Sequence, residues 1–376
     1  MLYAHAVGVT SSRAIERRCV EDVAFRFITA DRQPDHATIA RFLVRHRAAL
    51  AELFDGVLGL CVRGGMVRVG TIAVDSTKLA ANASMQQNRT YEGLRELAER
   101  IIEEAIETDR REDELYGDKR GDELPEELAD PRTRAARIRE LLEQARAERA
   151  QVEAERAAVH ERQAQREATP RGHRKAGRPP GERPSGAQRS LWAKKYNLTD
   201  PDSGMVRHRG MLMQGYNVQT AVADGQVIIA TRVSGVSPDG GQLEPMVDAA
   251  HQALARVGVQ QRVGVVVADT GYWNAAQIAR LKARKLPVLV PPPERKRGKH
   301  ASPEVTRMQA DLASAQGQAA YHRRQQIIEP VFAHWKHIRQ ITRVWRRGRQ
   351  AVQAEMDLIA TAHNLLKLYR NAPAAG

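Results

Sequence analysis

Aromatic residues make up only 5% of the 376-residue chain, and cysteine occurs only twice, at Cys19 and Cys61. The two cysteines lie far apart with no C-x-x-C spacing, which argues against a disulfide framework and against zinc ligation. They read as small core residues in a reducing compartment. No apolar run reaches the roughly 20 residues needed to span a bilayer. The opening MLYAHAVGVTSSR is too short and too polar to act as a signal peptide. Disulfide-stapled secreted domains and membrane spans therefore drop out first.

What is abundant is charge. Lys and Arg number 59 against 45 Asp and Glu, giving a formal charge of +14 and a pI near 10.1. Neutralising phosphates releases counterions, so a surplus of this kind points to a nucleic-acid partner. No amphipathic basic helix stands apart as a membrane anchor. With 42% hydrophobic residues and this length, the chain can bury a sizeable core and hold two or three domains.

The segment from Ser11 to about Gly64 reads as helices. Ile15, Cys19, Val23 and Phe27 recur one turn apart and are expected on one face. After DRQPD, Asp35 or Thr38 can cap a second helix, with Ile39, Phe42 and Leu43 on one side and Arg41, Arg45 and Arg47 on the other. Two helices joined by a short polar turn outline a helix-turn-helix, with plain helical packing as the alternative. VRVGTIAVDSTKL is the first strong strand, rich in β-branched residues, with Gly70 as a candidate bulge and Asp75 at its end.

Residues 89–190 differ in character. Two Glu/Arg/Ala-rich stretches with a thin apolar stripe that includes Leu141 and Leu142 suggest a helical hairpin. TPRGHRKAGRPPGERPSGAQ then reads as a basic linker. Beyond it, GYNVQTAVADG and QVIIATRVSG form a hairpin across a D-G turn. A helix (QLEPMVDAAHQALARVG), a strand buried on both faces (RVGVVVADTGYW), a helix (NAAQIARLKARK), a last strand (PVLVPPP) and two long helices complete the chain. The expected fold is α/β, with a mixed five-stranded sheet and helices on both faces. The boundaries are residues 1–65 for a helical, candidate DNA-binding region, 66–88 for the first core strand, 89–190 for the insertion, and 191–372 for the rest of the core.

Asp75 and Asp269 share one context, each ending an apolar strand, in AVDSTK and VVADTGYW. Sites in α/β sheets form at such strand ends. Two carboxylates brought together repel, and a divalent cation removes the conflict. Oxygen donors favour Mg²⁺ or Mn²⁺. Two such ions about 4 Å apart suit phosphoryl transfer. Glu329, in YHRRQQIIEPVFAHWKHI, supplies a third acid. It lies two turns before Lys336, and Pro330 after it implies a kink or a first-turn position.

Each acid taken alone reads more simply as a cap or a surface ion pair; their joint order on a basic chain carries the assignment. Lys78, one turn after Asp75, is a candidate phosphate contact. Arg343, Arg346, Arg347 and Arg349 form a second basic cluster. Tyr272 and Trp273 suit either base stacking or core packing. Asp200 and Asp202 flank a proline and read as turn chemistry.

The sequence resembles the DDE insertion-sequence transposases of bacteria over nearly its whole length. The resemblance rests on DHATIARF, VDSTKLAANAS, NLTDPDSGM, GYNVQTAVAD, VVADTGYW and YHRRQQIIEPVFAHWKH with the following RRG. It implies a ribonuclease-H-like core interrupted by a helical insertion, with Asp75, Asp269 and Glu329 as the metal-binding catalytic acids. The family's Y-x-x-R…E-x6-K signature falls on Tyr321, Arg324, Glu329 and Lys336. Four residues separate Arg324 from Glu329, where the usual pattern has three.

The implied activity is metal-dependent cleavage at transposon ends and strand transfer into target DNA. Terminal inverted repeats and target DNA are the partners, a homodimer forms the synaptic complex, and the location is cytoplasmic and nucleoid-associated. Relatives carry more helical sequence before the point where Met1 stands, so a shortened copy is expected. A catalytically silent transposon-derived DNA-binding protein and a standalone metal-dependent nuclease are the alternatives.

Overall fold

The computed structural model describes residues 1–100, 131–167, 195–208, 210–235, 238–294 and 301–371. They form two compact units, one from Met1–Ala83 with Asp202–Gly376, the other from Ser84–Pro201.

The first unit is built on a mixed sheet around β1 (Arg68–Ala80). Ile72, Ala73 and Val74 in this strand are buried on both faces, as befits a central position. β1 pairs antiparallel with β5 (Met211–Asp224) and parallel with β7 (Val265–Ala268), and β7 pairs parallel with β8 (Val288–Leu289). β6 (Val227–Ser234) lies antiparallel on the far side of β5. The order β6-β5-β1-β7-β8, three antiparallel strands followed by two parallel ones, is the ribonuclease-H-like arrangement.

The register of β1 slips between Arg68 and Ile72, around Gly70, as the bulge reading expected. The β5–β6 turn is made by Gly225 and Gln226, both at positive φ (84° and 65°), the combination that a two-residue hairpin of this twist requires. A sixth strand, β4 (Gly204–His208), pairs with the start of β5 and enlarges the expected five-stranded sheet. Its five residues are too few to show an alternating pattern in sequence.

The long helix Arg349–Asn371 covers the open edge of β6. Asn364 accepts from the Ile228 amide at 2.9 Å and donates to its carbonyl at 2.8 Å. Gln353 does the same one step along, accepting from Val233 N (2.9 Å) and donating to Thr231 O (3.2 Å). Two side-chain amides thus replace a missing strand and close an edge that would otherwise invite further pairing.

The preceding helix, Ala315–Ala333, contains Pro330. Its missing N–H leaves the Gln326 carbonyl without a helical donor. The Gln226 side chain fills the gap at 3.1 Å. A π-helical turn over His334–Ile338 follows and seats Trp335 fully in the core. Pro330 is thus neither a first-turn residue nor a sharp break.

The N-terminal helices depart from the expected single face. Helix Ser12–Glu21 stops at Asp22, which accepts from Ala24 N and Phe25 N and caps a new helix, Val23–Thr29. The new start rotates the pattern. Ile15 and Cys19 are buried, and Phe25 joins them, whereas Val23 and Phe27 are 80% and 86% exposed. Asp35 caps His36–Arg45, in which Ile39 and Leu43 are buried while Phe42 lies outside against His46. Pro303–Ala313 is a helix beyond those expected, marked by a capping Ser302 followed by proline.

In the second unit, β2 (Asn88–Arg89) pairs antiparallel with β3 (Tyr196–Asn197). Residues 91–100 are helical and a 37-residue helix spans Pro131–Glu167. They meet through the thin apolar stripe, Leu94 and Ala98 against Ile138, Leu141, Leu142 and Ala145, with Tyr196 beside them. The basic Pro/Gly linker lies outside the described residues.

Replacing Asn364 by Ala strands two buried backbone groups of Ile228. It is expected to cost about 3 kcal/mol of unfolding free energy in denaturant titration. Asn371→Ala, at the exposed end of the same helix, should cost no more than about 0.5 kcal/mol. Equal effects would show that the edge is held by packing alone.

Candidate active site

The parallel register that sets Val74 opposite Ala268 brings Asp75 and Asp269 side by side where the β1–β7 pairing stops. β7 ends there, but β1 runs on to Ala80 in its pairing with β5, so Asp75 lies within its strand and not at the end that the sequence suggested. Asp269 caps a short turn, Thr270–Tyr272, accepting from Gly271 N at 2.9 Å. Asp75 accepts from the Ser76 amide at 2.7 Å and from Arg324 Nη1 at 2.8 Å. The arginine reaches it from helix Ala315–Ala333, and the ion pair is largely shielded, with side chains 12% and 20% exposed. Burial pushes the Asp75 carboxyl up to about 6, and the neighbouring Asp269 charge adds to this. The Ser76 amide and Arg324 pull the other way without cancelling it.

A polar network lies on the other face of the sheet. Ser76 and Lys78 alternate on β1 opposite Gln219 and Asn217 on β5. All four converge with Asp239, which precedes helix Leu243–Arg256. Asp239 Oδ1 accepts from Asn217 and from Gln219, each at 2.7 Å, and Oδ2 accepts from Lys78 Nζ at 3.1 Å. Burial would raise this carboxyl, but those three donors outweigh it and hold it below the usual carboxylate range. Tyr272 is fully buried and its hydroxyl donates to Gln219; burial and the charges of Asp239, Asp75 and Asp269 push that hydroxyl well up. A Cβ added to Gly271 would stand 3.0 Å from Asp269 Oδ1 and 3.7 Å from Asp239 Oδ2, so both carboxylates face this glycine.

Lys78, three residues on from Asp75 in the same strand, is thus held by Asp239 on the other face of the sheet, whereas the structure brings Asp75, Asp269 and Arg324 together. Tyr321 is half-buried there, with Arg324 over its ring at 5.9 Å. Glu329 is not drawn in. It lies five residues beyond Arg324, roughly 140° around the helix. There it is exposed and makes no hydrogen bond or ion pair among the described residues. Among those residues no group of three His, Cys, Asp or Glu side chains is gathered as a ready metal cage.

Lys336 sits in the π-helical turn. The basic segment after it is tied to the end of β1, with Ala80 bridged to Arg343 and Arg347 Nε donating to Asn82 O at 2.9 Å. Buried Glu355 holds that segment from below by accepting from the Trp345 and Arg346 amides at 3.0 Å. Burial removes Tyr272 as a base-stacking candidate. Asp202 caps the last helix at Arg349 N (2.8 Å), in line with turn chemistry.

Asp239, Asn217 and Gln219 were missed as site residues. Two polar side chains two apart in an otherwise apolar strand share a face, and that was the readable signal.

A ribonuclease-H-like sheet that sets acids side by side on adjacent parallel strands is the plan of metal-dependent nucleic-acid phosphoryl transferases. The family described as Transposase DDE domain matches residues 194–365, and the one described as Transposase domain (DUF772) matches residues 1–45. No curated protein and no solved structure gives a significant match. The chain belongs to the DDE-type insertion-sequence transposases. It is a DNA transposase, an enzyme that cuts DNA and transfers its strands. Its substrate is DNA, and the family depends on divalent metal. No helix among the described residues is long and apolar enough to cross a membrane.

A carboxyl raised to about 6 binds its proton more tightly in the folded than in the unfolded chain. Its contribution to stability is therefore full below the unfolded value, near 3.8, and is lost as pH rises through 6. A cation that neutralises the site should restore it. Magnesium is expected to raise Tm clearly at pH 7.5 and little at pH 5, with the pH dependence abolished in Asp75→Asn. An equal rise at both pH values would place the binding elsewhere.

Proposed function

We propose that Asp75, Asp269 and Glu329 are the catalytic carboxylates, and that they hold two Mg²⁺ or Mn²⁺ ions during cleavage at transposon ends and strand transfer. The observation that carries this reading is the pair of aspartates on adjacent parallel strands. The Asp269 charge adds to the cost of ionising Asp75, and the ligand atoms that the pair offers are carboxylate oxygens. The donor set fits a hard divalent cation. Asp269 uses one oxygen on Gly271 N and keeps the other uncommitted among the described residues. When bound, such ions activate a water or 3′-hydroxyl and stabilise the leaving oxygen.

The chain's own residues supply position and charge. Arg324 offsets part of the cost of ionising Asp75 and holds one of its carboxylate oxygens. Glu329 is an unpaired acid on the helix that carries Arg324, available for recruitment when DNA settles on that face. Asp239, by contrast, already receives three donors and is a poor candidate for the third ligand. Lys78, Tyr321, Arg324, Lys336, Arg346 and Arg347 contact the DNA backbone in this reading. The tether of the basic segment to the end of β1 supports it, because it sets those arginines beyond Asp75 on the same strand. Two copies act as a homodimer on paired inverted repeats, in the cytoplasm on the nucleoid.

Cleavage of a labelled duplex carrying the element's terminal repeat tests the assignment. Asp269→Asn and Glu329→Gln are each expected to lower the rate at least 10³-fold, an order of magnitude typical of losing a principal electrostatic group. DNA affinity should change less than threefold, on the order of 0.6 kcal/mol. Wild-type activity in Glu329→Gln would remove Glu329 from the set, and wild-type activity in Asp269→Asn would remove the whole centre.

A further inference from the structure

Lys78 is held more firmly than a surface phosphate contact needs to be. Its side chain is 17% exposed, and its ammonium donates to Ser76 Oγ at 2.7 Å and to Asp239 Oδ2 at 3.1 Å. An ammonium has three N–H donors, and no third partner exists among the described residues. Asp239 is itself fixed, because Asn217 and Gln219, both fully buried, clamp its other oxygen. Gln219 also takes the Tyr272 hydroxyl, which ties the same unit to the turn that Asp269 caps. Asp239 and Asp269 then share Gly271 as a common neighbour, so the ammonium is tied through Asp239 to the turn that Asp269 caps.

We infer that Lys78 donates its remaining N–H to a non-bridging oxygen of the scissile phosphate, and that Asp239 is the positioning residue that aims it. A long, flexible lysine gains little on its own, because ordering its side chain costs conformational entropy. Here the Asp239 clamp meets that cost before DNA arrives, so the contact is preorganised for charge that develops in the transition state. The ion pair does not consume the lysine. It neutralises part of the charge and leaves a directed donor, which suits an anion next to two carboxylates better than an unpaired, mobile cation would. Glu and Arg substitutions separate geometry from charge, since each keeps the sign and changes the reach.

The inference rests on the carboxylate centre proposed above. Its test is a binding cycle between protein variants and a repeat duplex in which the scissile phosphate alone is a neutral methylphosphonate. For the wild type, the neutral linkage is expected to weaken binding roughly tenfold, as for loss of a hydrogen bond to a charged group. For Lys78→Met and Asp239→Asn, the same replacement should change binding less than twofold. Lys78→Arg should recover part of the discrimination, and Asp239→Glu should recover less because the longer acid shifts the ammonium.

Lys78→Met leaves Asp239 its two amide donors, so it carries the test alone if Asp239→Asn does not fold. A methylphosphonate one position away should affect all the proteins alike. Equal sensitivity of wild type and Lys78→Met at the scissile position would overturn the inference and leave the ion pair a structural one. Failure of the carboxylate centre shows separately, as cleavage retained by Asp269→Asn.

Discussion

A carboxylate taken out of water loses solvation, and a second carboxylate beside it adds repulsion. The parallel pairing of β1 and β7 sets Asp75 and Asp269 side by side, where Asp75 meets both costs. The surrounding structure answers them piece by piece. The amides of Ser76 and Gly271 each give one carboxylate a donor, and Arg324 crosses from its helix to pair with Asp75. What is left over, burial first and the Asp269 charge after it, shows in Asp75, raised to about 6. A sheet that buries Val74 and Ala268 completely cannot relax by moving the two acids apart. The cost of ionising Asp75 is thereby kept in place.

The rigid and the adjustable parts of the site lie on different elements. β1, β5 and β7 fix the two aspartates and the Asp239 network, and the helix Arg349–Asn371 locks the sheet edge with Asn364 and Gln353. Glu329 stands on a helix that ends in a proline and a π-helical turn. Trp335 anchors that turn in the core, while Glu329 stays on the exposed side. Two acids are thus fixed by the fold, while Glu329 stays on an exposed helix face.

Much of this was legible in the sequence, for definite reasons. Apolar runs before Asp75 and Asp269 stated both strands, though β1 runs on past Asp75 in its pairing with β5, and the D-G turn stated the hairpin of β5 and β6. Periodicity failed where a cap overruled it. Asp22 restarts the helix, so Val23 and Phe27, spaced to be buried, face outward. Short pieces such as β4 carry too few residues for a period to emerge. The Asp239 network was hidden because its members come from three separated segments, and only folding shows that a turn residue, two strand amides and a lysine share one point. Which side of its helix Glu329 would occupy also depended on packing that the E-x6-K spacing does not encode.

The most direct test of the central claim, that a cation binds between Asp75 and Asp269, is iron-mediated scission of the chain. Fe²⁺ loaded in place of the native ion, with ascorbate and peroxide, cuts polypeptide next to wherever it binds. Fragments ending near residues 75 and 269, lost in Asp75→Asn and competed away by Mg²⁺, are the expected result. Scission confined to other sites, or the same fragments from Asp75→Asn, would contradict the account.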